Sequence, residues 1–147
     1  MPGAPGVPVT ALCPTCGGCI ERVTRIAQAL IPRAVTSANA RVVNVGPTRW
    51  RYAKERADWL LWVRTYLDLA RGAKRPRRVT FERRYAGRQQ EMDRVNMASG
   101  LKPCLDALVT ATVLVDDSPA WLDDRYEQRR VATKAEAGLL ITVEEVE

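Results

Sequence analysis

The sequence predicts an α+β domain that begins at about Ala29. Two observations lead to this fold class: apolar residues recur at helical spacing in two long segments, and apolar and polar residues alternate in segments of strand length. The 147 residues are enough for one domain with its own core, and 46% hydrophobic residues is typical of a globular protein. We therefore divide the chain into an extension, residues 1–28, and one domain, residues 29–147.

The first predicted elements of this domain are a short strand and a long helix. Ala29 to Ile31 is the strand, and residues 35–47 form a loop rich in small residues. The helix starts at Pro47-Thr48 and runs to about Leu69, and Arg71-Gly72 supplies a basic last turn and a stop. Its predicted buried face consists of apolar residues at helical spacing: Trp50, Ala53, Ala57, Leu60, Leu61 and Leu67. Two further tryptophans widen its apolar surface and are interpreted as core or dimer contacts: Trp59 and Trp62.

The second half of the domain is predicted to contain four more strands and one helix. Arg77 to Tyr85 is a strand with Val79 and Phe81 on its buried face and a wet, basic opposite face. Val95 to Val109 is a helix, and Val113 to Val115 is a short buried strand. The last two apolar and polar segments form a long closing hairpin, with strands at about Ala120 to Val131 and Leu139 to Val146.

Residues 1–28 are predicted to be a flexible extension that carries a cysteine cluster. Its start is rich in Pro and Gly, and three thiols follow at a spacing known from zinc knuckles and iron–sulfur loops: Cys13, Cys16 and Cys19. This set lacks a fourth ligand, because the chain has no histidine and Cys104 lies far along the chain inside a predicted helix. Zinc binding here is therefore an alternative to a plain flexible extension.

Basic residues are concentrated in one part of this basic chain. The formal net charge is +6, and 19 of the 23 basic residues are arginine, whose planar guanidinium suits phosphate recognition. Nine basic residues but only three acidic ones lie between Arg71 and Arg94. This stripe predicts contact with nucleic acid. The candidate DNA-binding residues are Arg75, Arg77, Arg78, Arg83, Arg84, Arg88, Arg94 and Asn96.

The absence of histidine excludes several mechanisms. There can be no Ser-His-Asp or Cys-His nucleophile system, no His-ligated zinc and no histidine general base. Hydrolytic chemistry would have to use carboxylates, lysine, cysteine or a metal, and metal-activated water is the leading option. No apolar run approaches the ~20 residues that span a bilayer, and no signal-peptide pattern is present, so we expect a soluble, cytoplasmic protein.

Carboxylates flank one helix-length segment of this basic chain. Asp93 lies at its start, Asp106 lies near its end, and the pair Asp116-Asp117 follows a short apolar run. Such a cluster repels itself and DNA phosphate unless a divalent cation or protons neutralise it. Asp93 and Asp117 are the best candidate ligands for Mg²⁺ or Mn²⁺, with Asp116 beside them. Lys102 could contact the scissile phosphate. Asp106 could form an i,i+4 ion pair with Lys102.

These residues resemble the signature of the RusA-like Holliday-junction resolvases, small endonucleases often encoded by bacteriophages and prophages. The signature is an Asp-x-Asp-Asn element, a helical Lys-x-x-x-Asp-x-Leu and an Asp-Asp pair after a short strand. The resemblance covers roughly residues 29–147, including Leu30-Ile31-Pro32 and the loop with Ser37 and Asn39. The positions that match the signature are Asp93, Asn96, Lys102, Asp106, Asp116 and Asp117.

The resemblance implies a fold and a function. The fold would be a two-layer sandwich of a mixed β-sheet and two main helices, and the protein would be a homodimer. Each subunit would hold a Mg²⁺-dependent active site that cuts four-way or branched DNA in recombination, repair or phage DNA processing, inside a bacterial host cell. The implied catalytic residues are Asp93, Asp116, Asp117 and Lys102, of which the three aspartates bind the metal.

One position departs from the family pattern and keeps a second function open. Where the family has its second aspartate this chain has Val95, which cannot bind a metal. The chain could therefore be a catalytically impaired junction-binding protein, or Glu91 could compensate from two residues before Asp93. The gap from Asn96 to Lys102 is also one helical turn longer than in some members. A third possibility is a metal or redox module built on Cys13, Cys16 and Cys19.

Overall fold

A computed structural model of the chain describes the backbone of residues 8–12, 20–36 and 48–147. In these ranges five strands form one mixed sheet in the order β1-β2-β5-β3-β4. The strands are β1 (Pro8–Leu12), β2 (Ile20–Ile31), β3 (Arg77–Tyr85), β4 (Leu122–Arg130) and β5 (Gly138–Val146). The α-helices are α1 (Thr48–Tyr66), α2 (Arg94–Gly100) and α3 (Lys102–Thr110). The predicted α+β class is thus confirmed.

The closing hairpin was a wrong prediction. Both of its strands exist, but β5 pairs antiparallel with β2 on one side and with β3 on the other. β4 instead lies parallel to β3 at the edge of the sheet, reached through α2 and α3. Burial explains this order, because Leu139, Ile141 and Val143 of β5 are fully buried, whereas most β4 side chains are exposed. The apolar strand takes the centre and the charged strand takes the edge.

The first predicted strand was too short. β2 begins at Ile20 rather than Ala29, so residues 20–28, which we assigned to the extension, pair with β5 or β1 in the sheet. An irregularity of the register between Arg25 and Ala27 breaks the strict alternation of side chains. Val23 pairs with Val146 and Ala27 with Val143, which are three positions apart in β5, so Val23 and Ala27 lie on opposite faces although both are buried. A search for period-two alternation misses such a strand.

The long helix buries a different face from the predicted one. Four of the residues that we placed on the buried face are exposed: Trp50, Ala53, Ala57 and Leu61. The helix instead packs through Trp59, which is only 2% exposed, and Val63. Leu67, which follows the helix, is buried as predicted. Both stripes have helical spacing, and the buried one carries larger side chains and so removes more apolar surface from water. The helix ends at Tyr66, before the predicted Leu69, and Gly72 follows with a φ of +78°.

The second predicted helix is two helices. α2 and α3 are separated at Leu101, because Pro103 in the first turn of α3 has no N–H to continue the hydrogen-bond ladder. Gly100 ends α2 against the backbone of Thr36, where a Cβ would lie well inside contact distance of the Thr36 carbonyl oxygen. The predicted strand at Val113 to Val115 is absent, since these residues form bends, although Val113 and Leu114 are buried.

The core lies between one face of the sheet and the helices. Alternate residues of β3 point into it, including Val79 and Phe81, both fully buried as predicted. Leu101, Leu105 and Leu108 face it from the helical side. This packing fixes two loops that carry candidate site residues: the loop from β3 to α2 ends at Asp93, and the loop from α3 to β4 contains Asp117.

Candidate carboxylate and lysine site

Asp93 caps the N-terminus of α2. Its backbone is extended, with φ −66° and ψ 153°, and its Oδ1 accepts a hydrogen bond from the Asn96 backbone N–H at 2.9 Å. The Asn96 side-chain amide donates to the other carboxylate oxygen. This is the usual N-cap arrangement, in which a side-chain oxygen satisfies a free amide of the first turn. The exposed Asp93 carboxylate is therefore oriented by Asn96.

Lys102 joins two carboxylates that lie in different elements. Its Nζ is 3.2 Å from Asp106 Oδ1, one turn along α3, and it also donates a hydrogen bond to Asp117 Oδ2 in the following loop. The predicted i,i+4 pair with Asp106 is present. The Tyr52 hydroxyl of α1 donates to the second oxygen of Asp106. These four residues form a connected group, here called the lysine cluster.

The charge state of Lys102 follows from this group. The hydrogen bond to Asp117 raises the pKa of Lys102 to about 12, with partial burial acting in the opposite direction and Asp106 adding to the rise. Lys102 is therefore protonated at neutral pH and can act as a cation but not as a general base. Its side chain is 48% exposed, so a phosphate oxygen can reach it from solvent.

Asp116 stands outside the lysine cluster. It is fully exposed, and a hydrogen bond from the Ser118 side chain, with further bonds from backbone amides, holds the pKa of Asp116 below its usual value. Asp116 therefore stays ionised at neutral pH beside Asp117, which is engaged with Lys102. The neighbouring carboxylates thus have different environments.

Val95 projects into solvent from the first turn of α2. Its side chain is 74% exposed, an unusual place for a large apolar residue, between Asp93 and the first buried residue of the helix, Met97. Glu91, the predicted substitute for the missing aspartate, is an exposed loop residue. A carboxylate at position 95 would meet no steric obstacle, so this position can be tested without disturbing the core.

The three predicted metal ligands do not form a ligand group in this arrangement. Within residues 22–36 and 50–147, no three Asp, Glu or Cys side chains converge on a point where a metal ion could bind. Asp93 is engaged with Asn96, and Asp117 with Lys102. The carboxylates as placed therefore do not fit a shared Mg²⁺ or Mn²⁺ site.

The predicted basic stripe is divided between internal and exposed residues. Arg77 is buried, donates to the Val113 carbonyl at 2.8 Å and pairs with Glu145 at 3.1 Å. Arg78 is 7% exposed and pairs with Asp123 at 2.7 Å, so the expected wet, basic face of β3 was a wrong prediction there.

The rest of the stripe differs in exposure. Arg83 is buried, and Arg84 is half-buried and pairs with Glu82 at 2.7 Å. The candidates that reach solvent freely are Arg75, Arg88 and Arg94. The arginines of the stripe that are free to contact nucleic acid therefore lie in the loops at the two ends of β3 and at the start of α2.

The three clustered cysteines, Cys13, Cys16 and Cys19, lie outside the described residues. Cys104 is fully buried in α3, where burial raises the pKa of its thiol. A buried neutral thiol is a poor metal ligand, because the thiolate is the ligating form. Cys104 therefore supplies packing to the core.

Sequence reasoning missed the inward face of β4. The Tyr126 ring stacks on Phe81 with 5.5 Å between ring centroids, and its hydroxyl donates to Asp124 at 2.7 Å. Gln128 holds Met92, which precedes Asp93, through bonds of 2.9 Å and 2.6 Å to its backbone. Alternation over Leu122, Asp124, Tyr126 and Gln128 was a readable signal. We misjudged it because we placed this strand in a hairpin.

A scan of protein-family models and a search of curated proteins find no match to this chain. In the part of the chain that the structure describes, no helix combines the length and apolar character needed to cross a membrane. Functional inference therefore rests on the lysine cluster, the Asp93 cap and the distribution of positive charge.

Proposed function

We propose that this protein is a structure-selective endonuclease that resolves four-way or branched DNA junctions in recombination, repair or phage DNA processing. The observation that carries the proposal is the lysine cluster: Lys102 is held between Asp106 and Asp117, residues that belong to the RusA-like pattern. Asp93 and Asn96 stand earlier in the same pattern, joined at the cap of α2.

Lys102 would bind the scissile phosphate. Because its pKa is raised to about 12, it stays charged at the working pH and can stabilise the negative charge that develops on the phosphoryl oxygens. Asp106 would keep the ammonium in place while Asp117 is exchanged for a phosphate oxygen, since Asp106 is itself held by Tyr52. Tyr52 and Asp106 are then positioning residues.

The RusA-like pattern also implies Mg²⁺ or Mn²⁺, with Asp93, Asp116 and Asp117 as ligands. When bound, such an ion would neutralise phosphate charge and lower the pKa of a bound water. The described side-chain positions do not fit a shared metal site, so metal dependence is a part of the proposal that experiment must establish. The same pattern implies a homodimer, in which two active sites would nick two opposed strands.

DNA contacts outside the site would come from exposed arginines. Arg75, Arg88 and Arg94 reach solvent, and Arg94 directly follows Asp93. Phosphate contacts of this kind release counterions, so the affinity for a junction should fall with salt with a log–log slope of about −0.9 per phosphate neutralised. A flat response to salt would count against DNA as the ligand.

A second candidate is a junction-binding protein that does not cut. It is favoured by a specific observation: Val95 is 74% exposed at the position of the family's second aspartate, so no acidic side chain replaces that group there. The protein would then occupy junctions through its basic residues. The module built on Cys13, Cys16 and Cys19 remains a prediction, and the zinc content of purified protein would test it.

The proposal is tested by incubating the chain with a labelled synthetic four-way junction and with a linear duplex of the same sequence, with Mg²⁺, with Mn²⁺ and with chelator. An endonuclease of the proposed kind nicks the junction, spares the duplex and stops when the ion is chelated. Selective junction binding without nicking under any metal would support the second candidate. Equal affinity for the junction and the duplex would contradict both candidate functions.

A further inference from the structure

A pocket of about 180 Å³ lies beside the ends of β2 and β3, where β5 begins, away from the lysine cluster. Its polar lining among the described residues is Arg33, Arg83, Arg84, Lys134 and Gln89, and none of the described residues that line it is acidic. A small opening lined by several cations attracts an anion, since low-dielectric walls strengthen the combined field. Its volume is several times the roughly 30 Å³ that one water occupies in the liquid.

Arg83 is the lining residue that most favours binding of an anion in the pocket. Its side chain is 6% exposed, and Nη1 donates to the Gln90 carbonyl at 2.9 Å and to Gln128 Oε1 at 3.0 Å. Its guanidinium also lies 4.9 Å from the Tyr85 ring centroid. These partners are neutral, and burial lowers the pKa of Arg83. A buried cation without a carboxylate partner among the described residues carries a desolvation cost that a bound anion would offset.

The other cations are only partly neutralised. Arg33 is 3.6 Å from Asp58 and lies over the Trp59 ring, while Arg84 pairs with Glu82. Lys134 is exposed and forms no ion pair with a described residue. Positive charge therefore remains in excess around the opening.

The pocket is connected to the candidate site through Gln128. The same Gln128 oxygen that accepts from Arg83 also accepts from the Met92 N–H, and Met92 directly precedes Asp93. An anion bound against Arg83 would thus lie behind the loop that ends in the Asp93 cap. On a DNA strand crossing the site, that is a position for a backbone phosphate away from the one being cut.

We propose that this pocket binds a phosphate group, and that in the working protein the group is a phosphodiester of the DNA backbone. The DNA source rests on the proposed function, whereas phosphate recognition by the pocket does not. Arginine forks and lysine are the side chains that recognise phosphate in this way. Binding here would add a phosphate contact to those of the exposed arginines.

The test uses Lys134→Gln, Lys134→Arg and the control Lys54→Gln, which removes one exposed charge from α1 outside the pocket. Junction affinity is measured against salt, and binding of inorganic phosphate is measured by thermal shift at constant ionic strength against chloride. We expect Lys134→Gln to reduce the salt slope by about 0.9 and to weaken the phosphate-induced rise in Tm. Lys134→Arg should retain both, and Lys54→Gln should match the unmodified protein.

The outcomes separate the pocket from the proposed function. If the junction binds but Lys134→Gln and Lys54→Gln behave alike in both assays, the proposal that the pocket binds phosphate is overturned and the endonuclease proposal stands. If inorganic phosphate binds in a Lys134-dependent way but no junction binds, the pocket is supported as a site for free phosphate and the DNA source is overturned. If neither ligand binds, both proposals are overturned.

Discussion

Two short hydrogen-bonded links within helices and one long link between helices hold the side chains of the candidate site. The Asp93–Asn96 cap and the Lys102–Asp106 pair connect residues three and four positions apart, which helix geometry brings together. The bond from Tyr52 to Asp106 joins residues 54 positions apart. No spacing rule reaches that far, so Tyr52 could be found only after α1 and α3 had been packed together.

Lys102 leads to a prediction about alkaline pH. Its pKa in the folded state is raised from 10.5 to about 12, chiefly by the hydrogen bond to Asp117. The resulting stabilisation is fully present below pH 10.5 and is lost as the pH rises through about 12. The difference in Tm between the unmodified protein and Lys102→Gln should therefore shrink between pH 9.5 and 12. The change in this Tm difference is small because the Lys102 side chain is half exposed. A Tm difference that stays constant between pH 9.5 and 12 would contradict the raised pKa of Lys102.

At the scale of elements, β3 was placed correctly and the segment after it was not. Arg77 to Tyr85 has the predicted bounds, because Val79 and Phe81 alternate with polar residues and Pro76 precedes the strand. The sequence contains Gly100 and Pro103, two residues that favour a helix end at Leu101, but we predicted one continuous helix. The reason is that apolar residues keep their helical spacing across this point. The pairing of β4 and β5 depends on the whole sheet and has no local signal.

A substitution at Gly100 tests how closely the end of α2 packs against the backbone of Thr36. A Cβ at this position would collide with the Thr36 carbonyl and touch the Val35 side chain, and the backbone oxygen cannot move away as a flexible side chain could. We expect Gly100→Ala to lower the free energy of unfolding by about 1–3 kcal/mol, even though alanine favours a helix. Urea denaturation measures the change. Val95→Ala, an exposed substitution in the same helix, should stay within about 0.5 kcal/mol, and equal effects would refute the close approach.

At the scale of the whole molecule, apolar character determines strand order. β5 lies between two strands and contributes fully buried residues, whereas β4 has one neighbour among the described strands. The arrangement puts the charged strand next to the loops that carry Asp93 and Asp117. The candidate site therefore lies beside the edge strand β4.

Hydrogen exchange distinguishes this strand order from a hairpin. Amides of Leu139 to Val143 should exchange most slowly, because β5 is paired on both sides. Alternate amides of β4 should exchange quickly, because only β3 pairs with it. Native-state exchange read by NMR gives both rates for each residue. Protection along the whole of β4 together with fast exchange in β3 would mean that β4 and β5 form a hairpin after all.

The central claim is that Lys102 and the carboxylates of the RusA-like pattern cut branched DNA. The most direct measurement is nicking of a four-way junction by the unmodified chain, Lys102→Gln, Asp117→Asn and Val95→Asp, with Arg75→Gln as an exposed control outside the cluster. The account predicts junction-selective nicking that falls by at least about 100-fold in Lys102→Gln, through loss of transition-state charge stabilisation, and in Asp117→Asn, through loss of an implied metal ligand. Nicking should persist in Arg75→Gln with weaker binding. Tight junction binding with nicking only in Val95→Asp would contradict it and identify a DNA-binding protein without catalysis.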